Sequence, residues 1–371
     1  MSMTHDLDIF LVATPGLETP LSAEATQHGF AGARIVPGGV SCTGDWSEVW
    51  RANLMLRGAN KVLVRIGSFP AVHLAQLDKR ARKFPWSDFL RPDVPIKVEA
   101  TSRKSRIYHA GAARQRIDGA ISDTLGAAIS PEADLRVLLR IERDLCTLSI
   151  DSSGEPLHKR GHKTAVAKAP MRETMAAMFL RECGFEGTEP VLDPMCGSGT
   201  FVIEAAEIAL GLAPGRSRSF AFEQLSGFDK AAWQAMRSAC HPSESPLQFY
   251  GSDRNTGAVE AASANAEQAG VAEHTRFQHR AVSDIKPPPG PAGLVIVNPP
   301  YGARIGDEKR LRSLYGSLGK TLMNRFQGWR VGVITSAPAL ARATRLPFLP
   351  TGPFVDHGGT KIRLYRTEIL Q

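Results

Sequence analysis

Apolar and polar positions along the first 150 residues switch between two periods, strand-like and helix-like. "LDIFLVATPG" reads as a strand closed by Pro-Gly, and "PLSAEATQHGF" as the helix that follows. "ARIVPGGVSCTG" predicts strands with glycine turns, "WSEVWRANLMLRGAN" carries a helical stripe, and "KVLVRIGSF" is again a strand. Near residue 70 the pattern restarts. "AVHLAQLDKRARKF" predicts a helix, "VPIKVEATS" a strand, "GAARQRIDGAISDTLGAAI" a basic helix, and "DLRVLLRIERDLCTLSIDSSG" two strands. Polar "LHKRGHKTAVAKAP" then leads into a larger region, where the helix "MRETMAAMFLREC" precedes a strand, a glycine-rich turn and another helix. The later strand candidates are "LQFYGSD", "TRFQHRAVSD" and "LVIVNPP". Strands alternating with helices predict an open, doubly wound, mostly parallel sheet. Met171, Met175 and Met178 fit the core face of its first helix.

At 371 residues the chain calls for two or three domains. No apolar run reaches the roughly 20 residues of a membrane span. The N-terminus lacks the basic segment and long apolar core of a signal peptide, so a cytoplasmic protein without a membrane partner is expected. Five scattered cysteines without zinc spacing imply neither disulfides nor a metal. The net charge is +8. Lys79, Arg80, Arg82, Lys83, Arg91, Lys97, Arg103, Lys104, Arg106, Arg114 and Arg116, set against Asp88, Asp93 and Glu99, carry an excess equal to that of the whole chain. Such clustering suits a phosphate backbone.

Chemistry concentrates in "VLDPMCGSGTFVIEAA", where a strand ends at Asp193, passes Gly197 and Gly199, and enters a helix near Thr200. Glycines let a ligand approach the backbone closely, and the helix start offers free N–H groups. The spacing is not that of a nucleotide P-loop, nor does the interval to Asp253 suit a dinucleotide fold. Asp253 ends the next strand, where a carboxylate can accept both hydroxyls of a ribose, and Asp284 follows another, suited to an adenine edge. Together they predict a pocket for an adenosine-bearing ligand. In "LVIVNPPYG" the strand stops on an amide and two prolines. An exocyclic amine is a poor nucleophile because its lone pair is delocalised into the base. The Asn298 side-chain oxygen and the Pro299 carbonyl could each accept one of its N–H bonds and turn that lone pair towards an electrophile. Tyr301 would stack on the flipped base. Cys196 reads as a small filler, because this chemistry needs no thiol nucleophile.

DPMCGSG, the SD dipeptide and NPPYG, in this order, resemble class I S-adenosylmethionine-dependent methyltransferases that modify exocyclic nitrogens. "LHKRGHK", "APMRETMAAMFL", "RSFAFEQ", "GSDRN" and "NPPYGARIG" narrow the resemblance to the THUMP-domain RNA guanine-N2 methyltransferases, over about residues 45–371. The bacterial members acting on 23S ribosomal RNA, formerly labelled N6-adenine-specific DNA methylases, are the nearest in pattern. The resemblance implies an α/β fold: a ferredoxin-like α+β unit at 1–65, a THUMP RNA-binding domain at 66–157, and a Rossmann-like methyltransferase domain at 158–371. It also implies that Asp193, Pro194, Cys196, Gly197, Ser198, Gly199, Thr200, Asp253, Arg254, Asp284 and Asn298 bind S-adenosylmethionine. Asn298, Pro299, Pro300 and Tyr301 would be catalytic. RNA would be gripped by Lys79, Arg80, Arg82, Lys83, Arg103, Lys104, Arg106, Arg114, Arg116, Lys159 and Arg160. At the junction, His158, Arg160, His162 and Lys163 would face phosphate, target base or solvent. The ending "DHGGTKIRLYR" departs from the family pattern. The expected partner is 23S ribosomal RNA or its precursor. Alternatives are transfer-RNA guanine-N2 methylation, methylation of DNA adenine or protein glutamine, and a non-catalytic RNA-binding or ribosome-assembly factor.

Overall fold

A computed structural model describes residues 6–162, 171–302 and 308–371. The chain divides into two compact units. The first comprises residues up to Ala13, Ser22–Leu157 and Arg218–Ala239, and the second Thr14–Leu21, His158–Ser217 and Cys240–Gln371.

The first unit is built on a seven-stranded sheet in the order β2-β3-β1-β4-β7-β6-β5. The strands are β1 (Leu7–Val12), β2 (Ala31–Val36), β3 (Gly39–Gly44), β4 (Lys61–Pro70), β5 (Ile96–Arg103), β6 (Leu135–Glu142) and β7 (Leu145–Asp151). Helix α1 (Glu18–Gln27) joins β1 to β2, while α2 (Trp46–Met55) and α3 (Leu74–Ala81) flank β4 in sequence. Every pairing is antiparallel except β5 with β6, whose crossover contains α4 (Ala110–Leu125). The expected boundary at 65/66 falls inside β4. That strand pairs with β1 over Lys61–Arg65 and with β7 out to Pro70, so one sheet runs through both N-terminal regions.

The second unit contains β8 (Val191–Asp193), β9 (Phe249–Asp253), β10 (Thr275–His279), β11 (Leu294–Val297), β12 (Arg330–Thr335), β13 (Val355–His357) and β14 (Thr360–Arg366). Their order is β10-β9-β8-β11-β12-β14-β13. The pairings from β10 through β12 are parallel, and those of β14 with β12 and β13 are antiparallel. The expected mostly parallel sheet is therefore present, with a C-terminal antiparallel hairpin formed by "DHGGTKIRLYR". Its helices are α5 (Glu173–Glu182), α6 (Thr200–Ala209), α8 (Thr256–Ala269), α9 (Glu308–Arg325) and α10 (Pro338–Ala343). Met171, Met175 and Met178 are all buried, although Met171 precedes α5.

Strand β12 was not among the sequence expectations, because Gly332 sits in its middle and weakens the strand signal. Packing demands that glycine: a Cβ there would lie 2.7 Å from the Cys183 Sγ. Residues 218–239, expected within the methyltransferase domain, fold with the first unit. There α7 (Lys230–Ser238) places Trp233 against Phe222, with ring centroids 5.0 Å apart, and both rings meet Trp50 of α2. Among the described residues no helix is long and apolar enough to cross a membrane.

Candidate active site

In the second unit the connections run outward from β8 through β9 to β10, then restart at β11 and continue to β12. The direction reverses between the adjacent strands β8 and β11, and ligands collect beyond the carboxyl ends of strands at such a point. Asp193 ends β8, Asp253 ends β9, and Asn298 immediately follows β11.

Asp193 is buried, and its Oδ1 accepts the Met195 N–H at 3.0 Å. Burial, reinforced by nearby Asp253, pushes its carboxyl up to about 8. Asp253 accepts the Gly197 N–H at 3.1 Å on one oxygen and the Asn255 N–H at 2.9 Å on the other. The carboxylate expected to hold a ribose thus also fixes the turn beside it. The loop is further held by the Cys196 N–H donating to the Ser252 carbonyl (3.0 Å) and by the buried Asn265 of α8 donating to the Ser198 carbonyl (3.1 Å). Asn265 was missed in the sequence, since nothing local ties it to a turn 67 residues away. Gly199, at φ +85°, is where a side chain would not fit: a Cβ would meet Ala262, Phe277 and Ile203 at 3.0–3.2 Å. The residue caps α6 without a side-chain hydrogen bond. Pro194, Ser198 and Thr200 are buried around the loop, and Arg254 and Asp284 are exposed beyond β9 and β10. Burial, with Asp193 and Asp253 adding to it, pushes the Cys196 thiol well above its ordinary value, so it is no nucleophile.

On the other side of the reversal, Pro299 is buried and Asn298 half-buried. The Asn298 Oδ1 is shielded from solvent yet has no hydrogen-bond partner among the described residues. The Tyr315 hydroxyl of α9 lies 3.3 Å from the Pro300 carbonyl and 3.1 Å from Thr335 Oγ1. Burial pushes this phenol up to about 12, so it stays protonated and able to donate. Tyr301 is half-buried, and its hydroxyl is 3.2 Å from His357 Nδ1 on β13. Neither Tyr315 nor His357 was predicted as a site residue. The five residues after Gly302 lie outside the described residues.

Of the expected RNA-binding cations, Lys79, Arg80, Lys83, Arg103, Lys104 and Arg116 are exposed in the first unit and form no ion pair among the described residues. Arg82 is held by Asp78 (2.9 Å) and Asp123 (2.7 Å), Arg106 lies 3.8 Å from Asp144, and Arg114 lies 3.5 Å from Asp118. Lys159 is exposed. Arg160 corrects its expectation: it is 2% exposed and paired with Glu204 of α6 at 3.1 Å. Such a guanidinium is committed to a buried carboxylate and cannot grip a phosphate backbone. His162 is likewise buried, 3.1 Å from Glu207. Lys163 lies outside the described residues.

Known proteins resemble this chain over most of its length. The family "RMKL-like, methyltransferase domain" matches residues 160–347, "RlmL ferredoxin-like domain" matches 8–63, and "THUMP domain" matches 71–151. The chain belongs to the RMKL-like methyltransferase family. A member in Synechocystis sp., "Putative RNA methyltransferase slr0064", is 30% identical, with 97% of this chain and 96% of that protein covered. "Ribosomal RNA large subunit methyltransferase K/L" of Allochromatium vinosum is 36% identical over 93% of this chain, which spans about half of that relative's length. The solved structure of "SMU.472, a putative methyltransferase complexed with SAH" superposes with a TM-score of 0.90 at 26% identity, covering 100% of both chains. As an RMKL-like methyltransferase the chain has an S-adenosylmethionine-dependent methyltransferase fold with a THUMP domain. Its own residues fit that cofactor: a turn whose Gly197 and Gly199 both take positive φ, so that backbone rather than side chain faces a ligand, and beside it a carboxylate at the end of β9.

Proposed function

We propose that the chain transfers a methyl group to the N2 amine of a guanine in structured RNA, with large-subunit ribosomal RNA as the substrate. The observation that carries this reading is the shielded Asn298 Oδ1 just past β11, which has no hydrogen-bond partner among the described residues and which an incoming amine would satisfy. Asp193, Gly197, Gly199 and Asp253 would hold the methionine and ribose parts of S-adenosylmethionine, and Asp284 its adenine. That cofactor supplies an electrophilic methyl group on a sulfonium. Asn298 Oδ1 and the Pro299 carbonyl would accept the two amine N–H bonds and draw the nitrogen towards a tetrahedral shape. Tyr315 holds the Pro300 carbonyl, which limits drift of the neighbouring acceptor. Tyr301 would stack on the base. The exposed cations of 66–157 would grip RNA, with the chemistry assigned to 158–371 and the site of action to the cytoplasm. The names of the K/L relatives support ribosomal RNA over transfer RNA.

Nucleoside mass spectrometry of RNA from cells with and without the gene tests the reading. N2-methylguanosine should disappear from large-subunit ribosomal RNA. Its loss only from transfer RNA would move the substrate, loss of N6-methyladenosine would change the base, and no change would overturn the enzymatic reading.

A further inference from the structure

Tyr108 is 76% exposed, the most open of the exposed large hydrophobic side chains among the described residues. A solitary exposed tyrosine needs no explanation. This one does not stand alone: the His109 ring lies against it, with centroids 4.5 Å apart and planes at 40°. Both rings sit in the connection from β5 to α4, which is pinned rather than loose. Ile107 is buried, and its carbonyl accepts a hydrogen bond from Ser102 Oγ. The Arg106 N–H donates to Asp144 Oδ1 (2.7 Å), the Asp144 N–H to Ser105 Oγ (3.1 Å), and the Arg143 N–H to the Arg103 carbonyl (3.3 Å). The connection is thereby fastened to the turn between β6 and β7. Arg103 and Lys104, just before the rings, are exposed and form no ion pair among the described residues. A braced aromatic pair beside uncommitted cations has the two parts of a single-strand binder, a π-face for a base and charge for its backbone.

We propose that Tyr108, backed by His109, is a stacking platform for an unpaired nucleobase, with Arg103 and Lys104 on the adjoining phosphates. A base inside a duplex offers no free face, so the ligand is a single-stranded RNA segment. The proposal rests on the reading of the chain as an RNA-modifying enzyme and adds a subsite within the first unit, separate in sequence from NPPY.

The test uses the full chain and a fluorescein-labelled octa-adenylate RNA, with an abasic octamer of the same backbone as control. Tyr108→Ala should weaken octa-adenylate binding about tenfold, the loss expected for one base no longer stacked on a ring. It should leave the abasic octamer and the salt dependence unchanged. Tyr108→Phe should bind like the parent. Lys104→Ala should flatten the salt dependence by about 0.7, the value of one single-strand phosphate contact. Binding by Tyr108→Ala within twofold of the parent, or an equal loss on the abasic octamer, would overturn the platform. So would normal octamer binding together with loss of a co-purifying protein, which would assign the rings to a protein partner. Methyl transfer from labelled S-adenosylmethionine to cellular RNA is read separately with the parent chain. Its absence would sink the enzymatic reading while leaving a Tyr108-dependent affinity intact.

Discussion

Replacing Asn298 by alanine should separate activity from stability. Its Oδ1 is buried without a partner among the described residues, and such an acceptor costs a folded protein about 1–3 kcal/mol. Alanine removes that penalty and little packing, since the side chain is only half-buried. The melting midpoint should therefore hold or rise, by about 2–4 °C per kcal/mol recovered for a domain of this size. Turnover should move the other way. Losing one preorganised group aimed at the reacting atoms costs about 2.7–4 kcal/mol, or roughly 100- to 1,000-fold. Single-turnover methyl transfer, calorimetric binding of S-adenosylhomocysteine and a thermal melt on the same preparation give the three readouts. Slow chemistry, unchanged affinity and an undiminished midpoint are expected. A destabilised variant with turnover within about tenfold of the parent would mean that Asn298 is a structural residue, and would refute the argument.

Other substitutions probe the surroundings. Asp193 has a native pKa of about 8 against about 3.8 unfolded, so its contribution is fully present below about pH 4 and is lost as pH rises towards 8. Asp193→Asn should thus gain on the parent by about 1.4 kcal/mol per pH unit up to pH 8, then level off. Denaturation midpoints from pH 5 to 9 would show this, and a pH-independent difference would contradict the assigned burial. His357→Ala and Tyr301→Phe each break the same 3.2 Å contact. Each should lower kcat/KM by about fivefold, roughly the worth of one hydrogen bond, with no further loss in the double variant. Additive losses would show that the two residues act separately. Gly199→Ala puts a Cβ at φ +85° within 3.0–3.2 Å of three side chains, and S-adenosylhomocysteine binding by titration should fall sharply. Parental affinity in that variant would mean that the turn can shift without harm.

Short-range features of the site were legible in the sequence. The turn from Asp193 to Gly199 and the stop at Asn298-Pro299-Pro300 are contiguous motifs, and the structure puts them on neighbouring strand ends. What escaped was long-range. Arg160 looks like a solvated cation in a polar linker until α6 brings Glu204, 44 residues on, to its guanidinium. His357 meets Tyr301 across 56 residues, through a hairpin whose polar alternation resembles no motif. The run of β4 through 65/66 was hidden because a change of pattern near residue 70 marks a new set of elements, which need not mark a new sheet. Residues 218–239 carry no sign in their own composition that Trp50, some 170 residues earlier, is their packing partner.

That last segment has a consequence for the order in which the protein can be made. During synthesis the strands of the first sheet are all available once Asp151 has emerged, yet Phe222 and Trp233 are not. Trp50 must wait for them while the ribosome adds the intervening stretch, including β8 and α6 of the other unit. At about 5–20 residues per second the delay from Asp151 to Trp233 is about 4–16 s, long compared with the folding of a small domain. Truncation at residue 157, where a domain boundary would invite a cut, should leave that tryptophan uncovered and the fragment prone to aggregate.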